Sequence, residues 1–82
     1  MSGKKRTCTT DVFGERFDVP LQRGTVSHLQ TTAEMVMQRA LAIARRAVSE
    51  RNAGNTRSAC DSLQRSRRLA AFARGLRSTF SR

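Results

Sequence analysis

The chain has 82 residues, of which 38% are apolar, so it can form only one small domain with a modest core. Sixteen Lys and Arg residues against six Asp and Glu give a net charge of +10, which favours an anionic partner. The absence of any run of roughly 18 apolar residues excludes a membrane span. The basic residues Lys4 and Lys5 lead into polar sequence instead of the apolar segment of a secretory signal. We therefore expect a cytoplasmic, non-secreted protein.

Residues suited to catalysis or metal binding are few. Two cysteines and one histidine, Cys8, Cys60 and His28, do not complete a standard closed zinc site. We expect both thiols to be reduced, one of them in the core, and His28 to lie in a loop before a helix. No nucleophile and base can be paired, and the five glycines are too far apart for a phosphate loop. The sequence thus predicts no enzyme activity, metal, cofactor or small-molecule substrate.

Residues 1–31 lack helical periodicity and are predicted to form an N-terminal arm. Two runs of alternating apolar and polar residues flank Gly14, a pattern typical of a short β-hairpin. An isolated hairpin is marginal in water, so it would have to pack against another element. We expect either an extended arm, which is slightly favoured, or this hairpin with three apolar anchors, Phe13, Phe17 and Leu21.

Residues 32–82 are predicted to form a basic helical hairpin. Thr31 and Glu34 have the spacing of a capping box, which predicts that the first helix begins near residue 32 and ends near residue 52, before Gly54. Its apolar residues share one arc of about 160°. These residues are Val36, Met37, Ala40, Leu41, Ile43, Ala44, Ala47 and Val48.

A second helix is predicted after Gly54, starting at Asn55, Thr56 or Ser58 and ending near residue 79. Two antiparallel helices share a single interface. Each predicted helix has an alanine-rich apolar stripe that is wider than one neighbouring helix would cover. We therefore predict an all-α fold in which two copies form a four-helix bundle. The predicted core or dimer residues are Val36, Ala40, Ile43, Ala47, Leu63, Leu69, Ala70 and Leu76.

The second helix carries most of the positive charge. Residues 55–82 contain seven arginines and one acid, and fourteen of the sixteen basic residues in the chain are Arg. The planar guanidinium holds phosphate oxygens in pairs, which favours nucleic acid over ordinary solvated surface. The predicted nucleic-acid-binding residues are Arg57, Arg65, Arg67, Arg68 and Arg74, helped by Arg45 and Arg46.

Duplex RNA is the favoured nucleic acid, with DNA left open. The chain has no Trp or Tyr, so stacking platforms for single strands are scarce, although Phe72 either stacks on bases or packs against the arm or a dimer mate. Gln64 is the main candidate for reading base edges, which gives little support to sequence-specific binding. Recognition by shape is typical of duplex RNA, and the second helix supplies hydroxyls for it. These are Ser58, Ser62, Ser66, Ser78 and Thr79.

A loop residue, Asn55, followed by Arg57, Asp61, Leu63 and a basic stretch gives residues 33–80 a pattern that resembles the double-stranded-RNA-binding silencing suppressors of nodaviruses. The resemblance implies a viral dimer that lies along an RNA duplex and shields it from cleavage. The long N-terminal arm departs from the pattern of that family.

Two other functions remain open, and a third is set aside. The strongest is a structural subunit of a large ribonucleoprotein such as a ribosome, which would be monomeric and poorly folded alone. A protein adaptor that uses the apolar stripe for a partner helix is another. A basic amphipathic helix can also lie on an anionic membrane, but an alanine-rich face inserts poorly, so we expect no membrane partner.

Overall fold

The computed structural model describes residues 7–21 and 23–80. In chain order they form β1 (Thr7–Val12), β2 (Glu15–Pro20), α1 (Thr25–Asn52) and α2 (Thr56–Phe80). The fold is mostly helical, and the two strands pair as one antiparallel sheet. Among these described residues, neither helix is long and apolar enough to cross a membrane.

The N-terminal arm is a β-hairpin, so the slightly favoured expectation of an extended arm is wrong for residues 7–20. The first six residues of the predicted arm lie outside the described part of the chain. The turn is made by Phe13 and Gly14, whose φ angles of 51° and 83° fit a two-residue hairpin turn of the primed type. Gly14 adopts this angle without the steric cost that Phe13 bears.

One face of the hairpin is buried on the helices. In the observed register Cys8 lies opposite Val19 and Thr10 lies opposite Phe17, so alternate residues of both strands point to the same side. Phe17 and Val19 are almost completely buried there. Of the three predicted anchors only Phe17 is buried, whereas Phe13 and Leu21 are each more than half exposed.

Helix α1 begins at Thr25, seven residues before the start predicted near residue 32, so the prediction of a capping box at Thr31 is wrong. Gly24, with φ 88°, precedes the helix, and His28 N donates to Gly24 O at 3.2 Å. Thr32 does not cap an end, because its Oγ1 donates to His28 O one turn earlier at 2.8 Å. His28 itself is therefore helical, and its half-buried ring leaves Nδ1 without a hydrogen-bond partner among the described residues.

The link between the helices follows the prediction closely. Gly54 has φ 88°, Gly54 N donates to Arg51 O at 3.0 Å, and Asn55 N donates to Glu50 O at 2.8 Å. This pair of bonds is the Schellman arrangement that ends a helix at a glycine. Helix α2 follows at once, with Ala59 N donating to Asn55 O at 3.0 Å.

The two helices meet along small side chains. Ala40 and Ala47 of α1 and Ala59 and Ala73 of α2 are at most 3% exposed. At the centre of this seam Ser66 Oγ donates to Ala40 O at 2.8 Å, which requires close approach of the two backbones. The hairpin covers one side of the helix pair and completes a core built around Phe17, Val19, Val36 and Leu69.

The predicted core residues do not all lie in that core. Ile43, Ala70 and Leu76 are half-buried, and Leu63 is 36% exposed. Both cysteines are exposed and free, so the expectation of one core thiol is wrong. Cys8 points to the inner face of the hairpin, but at the end of the strand the helices no longer cover it.

Replacing Ala40 with Leu is expected to destabilise the chain by about 1 to 3 kcal/mol, because the larger side chain cannot fit a seam in which Ala40 is 2% exposed. Ala71 lies on the exposed side of α2, and Ala71→Leu provides the matched control. Urea unfolding followed by circular dichroism measures both changes. Equal unfolding midpoints for the two variants would contradict the close helix packing described here.

Candidate nucleic-acid interface

The arginines of α2 occupy the half of the helix that faces away from α1. Ala59, Ser66, Leu69 and Ala73 are buried against the rest of the chain, which fixes the inward side. At about 100° per residue the outward half then presents the arginines between residues 57 and 74. All of these side chains belong to exposed residues: Arg57, Arg65, Arg67, Arg68 and Arg74.

Glu15 holds one of these arginines in an internal ion pair. Its carboxylate accepts from Arg39 Nη1 at 2.8 Å and from Arg65 Nη1 at 3.3 Å, and its side chain is only 17% exposed. Glu15 thereby joins the hairpin to both helices. Arg39 has a second role, since its guanidinium carbon lies 4.8 Å from the centre of the Phe17 ring.

A groove of about 650 Å³ runs beside this ion pair, between the hairpin and the helices. Its acidic residues are Glu15, Glu50 and Asp61. Glu50 is already engaged, because it accepts from Ser58 Oγ at 3.1 Å and from Ser62 Oγ at 2.8 Å. Three of the six acids of the chain thus lie on the side of the helix pair that the hairpin covers.

The seven arginines predicted to bind nucleic acid do not form one surface. Arg57, Arg67, Arg68 and Arg74 lie on the outward half of α2, but Arg65 is paired with Glu15. Arg46 lines the groove with Glu50 and Asp61. Arg45 lies on the edge of α1 farthest from α2, as its helical position half a turn from the buried side shows.

The four remaining arginines of α2 form a surface that we call the α2 ridge: Arg57, Arg67, Arg68 and Arg74. Arg57 and Arg68 lie on the same side of α2 as Asp61, one turn before it and two turns after it, so its negative charge partly offsets theirs. Arg67 and Arg74 lie on the flank turned away from the hairpin, about 10 Å apart along the axis. Arg77, which was not among the predicted binding residues, leaves that flank: it lies on the α1 side of α2, where it lines a small cavity with Glu34 and Met37.

Most of the predicted hydroxyls are used inside the protein. Ser58 and Ser62 donate to Glu50, and Ser66 donates to a backbone carbonyl of α1. Thr79 Oγ1 bonds Gly75 O within its own helix at 2.9 Å. These contacts leave Ser78, an exposed residue, as the predicted hydroxyl with no hydrogen bond to the described residues.

Phe72 packs on the hairpin. Its ring lies 6.2 Å from the ring of Phe13 at an angle of 83°, an edge-to-face contact between α2 and the turn. Phe72 is also half-buried against the core. Of the two interpretations of this residue, packing on the arm is therefore the one that the structure shows.

Sequence reasoning missed Glu15, the residue that pairs with Arg65 and so distinguishes it from the other arginines of α2. Its position beside Gly14 in a hairpin pattern was readable, and so was its place on the inward side of β2. Its partners were not readable, because Arg39 and Arg65 are 24 and 50 residues away along the chain. Only the docking of the hairpin brings them together.

Comparisons of this chain with models of protein families, with curated proteins and with solved structures find no match. Its function has to be inferred from the charge and geometry of the described residues. The feature with the clearest chemical meaning is that the four arginines of the α2 ridge make no salt bridge within the described residues, and that Arg67 and Arg74 among them lie away from the carboxylates beside the hairpin.

Proposed function

We propose that this chain binds duplex nucleic acid, preferably RNA, without sequence preference, through the α2 ridge. The observation that supports this proposal most strongly is the pairing pattern of the arginines. Within residues 7–21 and 23–80 the salt bridges are those that Arg39 and Arg65 make with Glu15. The α2 ridge therefore has four guanidinium groups that polyphosphate can neutralise.

The dimensions of the α2 ridge suit a duplex backbone. Arg57 and Arg74 are about 25 Å apart along the helix axis, which corresponds to about seven base pairs of duplex. Guanidinium groups can hold phosphate oxygens through two hydrogen bonds, and binding releases the counterions condensed on the nucleic acid. Such contacts position a protein on a backbone and carry no sequence information.

The aromatic residues give little support to binding of single strands. Single-strand binding without sequence preference relies on exposed aromatic rings that stack on bases. The chain has four Phe and no Trp or Tyr. Phe17 is buried, and Phe13 and Phe72 contact each other. Recognition of duplex shape by the α2 ridge requires none of these rings.

The hairpin also bears on the alternative of a ribonucleoprotein subunit. A subunit that depends on its neighbours would leave its arm without packing partners. Here Phe17 and Val19 of the arm are buried in a core shared with both helices. This internal core favours a chain that folds and acts on its own.

Gel shifts of the purified chain with duplex RNA, duplex DNA and single strands of equal length test the proposal. We expect both duplexes to be shifted at lower protein concentration than the single strands, with RNA at least as tight as DNA, and affinity to fall as salt rises. Circular dichroism of the free chain provides the folding control. Equal affinity for single strands, or a chain that is unfolded alone, would contradict the proposal and favour the subunit alternative.

A further inference from the structure

The side of α1 that α2 and the hairpin cover only in part carries a stripe of apolar residues, which we call the α1 stripe: Met37, Leu41, Ala44 and Val48. Their spacing of four, three and four residues places them within about 60° of one another on the helix. Leu41 is 55% exposed and Val48 is 57% exposed, whereas Met37 and Ala44 are half-buried. The wide apolar arc of α1 thus remains partly uncovered after the chain has folded.

The spacing of the α1 stripe is that of the a and d positions of a coiled coil. With Leu41 and Val48 at a, Met37 and Ala44 are at d, and the adjoining g positions, Ala40 and Ala47, are buried against α2. The stripe ends in charge on both sides. Glu34 holds the preceding a position and Arg51 the following d position, and both residues are exposed.

This order of charges is self-complementary. When α1 is laid antiparallel on a second α1, with the two-fold axis between residues 42 and 43, Met37 lies opposite Val48 and Leu41 lies opposite Ala44. The same register sets Glu34 opposite Arg51 at both ends. In a parallel pairing Glu34 would face Glu34 and Arg51 would face Arg51, which is repulsive.

We infer that a second copy of this chain binds the α1 stripe in the antiparallel register, closed at each end by a Glu34–Arg51 ion pair between the copies. The two-fold axis then places α2 over α2 of the second copy, with Leu63 close to the axis. This location accounts for the 36% exposure of Leu63 in the single chain. The α1 stripe itself contains no residue of the α2 ridge, although Arg67 lies one turn after Leu63 on the same flank of α2 and so comes close to the second copy.

The like charge that opposes this arrangement most is Arg67, which lies one turn after Leu63, while the other arginines lie at the edges or ends of the contact. The exposed e positions beside the stripe are Gln38 and Arg45, and the antiparallel register brings Gln38 of one copy near Arg45 of the other, within two residues of the opposite position. Arg74 and Arg77 project past the end of the opposing α2, since that helix begins at Thr56. The bundle therefore keeps much of the positive surface at its two ends and edges.

Sedimentation equilibrium without nucleic acid tests the inference. The wild-type chain is expected to have twice its 9.1 kDa mass at tens of micromolar. Leu41→Glu with Val48→Glu should give a monomer that stays helical, because both side chains are exposed in the single chain. Leu21→Glu, a matched change at a 53% exposed site near the hairpin, should remain a dimer. A monomeric wild-type chain, or a dimer that survives the double change, would overturn the inference.

Charge exchange tests the register. Glu34→Arg alone and Arg51→Glu alone should each weaken the dimer, by about fivefold or more in dissociation constant, because like charges then meet at both ends. The two changes together restore opposite charges and should recover most of the wild-type affinity. Failure of the double exchange to recover the dimer would exclude the antiparallel register.

Discussion

Replacing Phe17 with Ala is expected to lower the free energy of unfolding by about 3 to 5 kcal/mol. The Phe17 ring is 2% exposed and fills the space between the hairpin and the helices. It also supports the Arg39 guanidinium 4.8 Å away, which the truncation would leave without its aromatic contact. At about 0.05 to 0.15 kcal/mol per residue, a chain of this size has about 4 to 12 kcal/mol of stability in total, so the change removes a large share of it.

Urea unfolding monitored by circular dichroism measures this loss, and Phe13→Ala provides the control. Phe13 is 56% exposed and contacts mainly the edge of Phe72, so its truncation should cost about 1 kcal/mol. Should the two variants unfold at the same urea concentration, Phe17 would not be the anchor that fixes the hairpin on the helices.

The triple change Arg67→Gln, Arg68→Gln and Arg74→Gln is expected to weaken binding of duplex RNA by about 100-fold at moderate salt. The figure assumes about 1 kcal/mol for each of three exposed arginine contacts with phosphate. The three residues are exposed on α2 and have no salt-bridge partner among the described residues, so the fold should tolerate their replacement. Fluorescence anisotropy with a labelled duplex measures the affinity.

A second triple variant is the control, because it removes three positive charges that lie outside the α2 ridge. Arg16 lies on the outer face of β2, Arg23 precedes α1, and Arg45 lies on the far edge of α1, all exposed. Replacing these three with Gln should weaken binding only through the change in net charge, by less than about tenfold. An equal loss in both triple variants would mean that overall charge, and not the α2 ridge, attracts the nucleic acid.

Local signals made much of the fold predictable. Gly54 and the polar residues after it predicted the break between the helices to within a residue or two, because a glycine with positive φ has a strong sequence signature. A local signal also caused the wrong prediction of where α1 begins. Thr31 and Glu34 imitate a capping box, yet the helix continues back to Thr25 because Gly24 is the nearest residue that breaks it.

The arginine surface was less predictable, because its composition depends on tertiary contacts. Helical periodicity separates the outward arginines of α2 from Leu69 and Ala73, and the structure agrees with that separation. Periodicity does not show which arginines meet a carboxylate. That pairing depends on how the hairpin packs on the helices. Its inward residue Glu15 binds Arg65, which therefore does not belong to the α2 ridge.

The dependence of duplex-RNA affinity on salt tests the α2 ridge most directly. Each phosphate contact contributes about 0.9 to the slope of log affinity against log salt for B-form DNA, and a comparable amount is expected for an RNA duplex. The Arg67, Arg68 and Arg74 variant should therefore have a slope shallower by about 2 to 3 than wild type, while the Arg16, Arg23 and Arg45 variant keeps nearly the wild-type slope. Identical slopes for the two variants would contradict the proposal that the outward arginines of α2 contact phosphate.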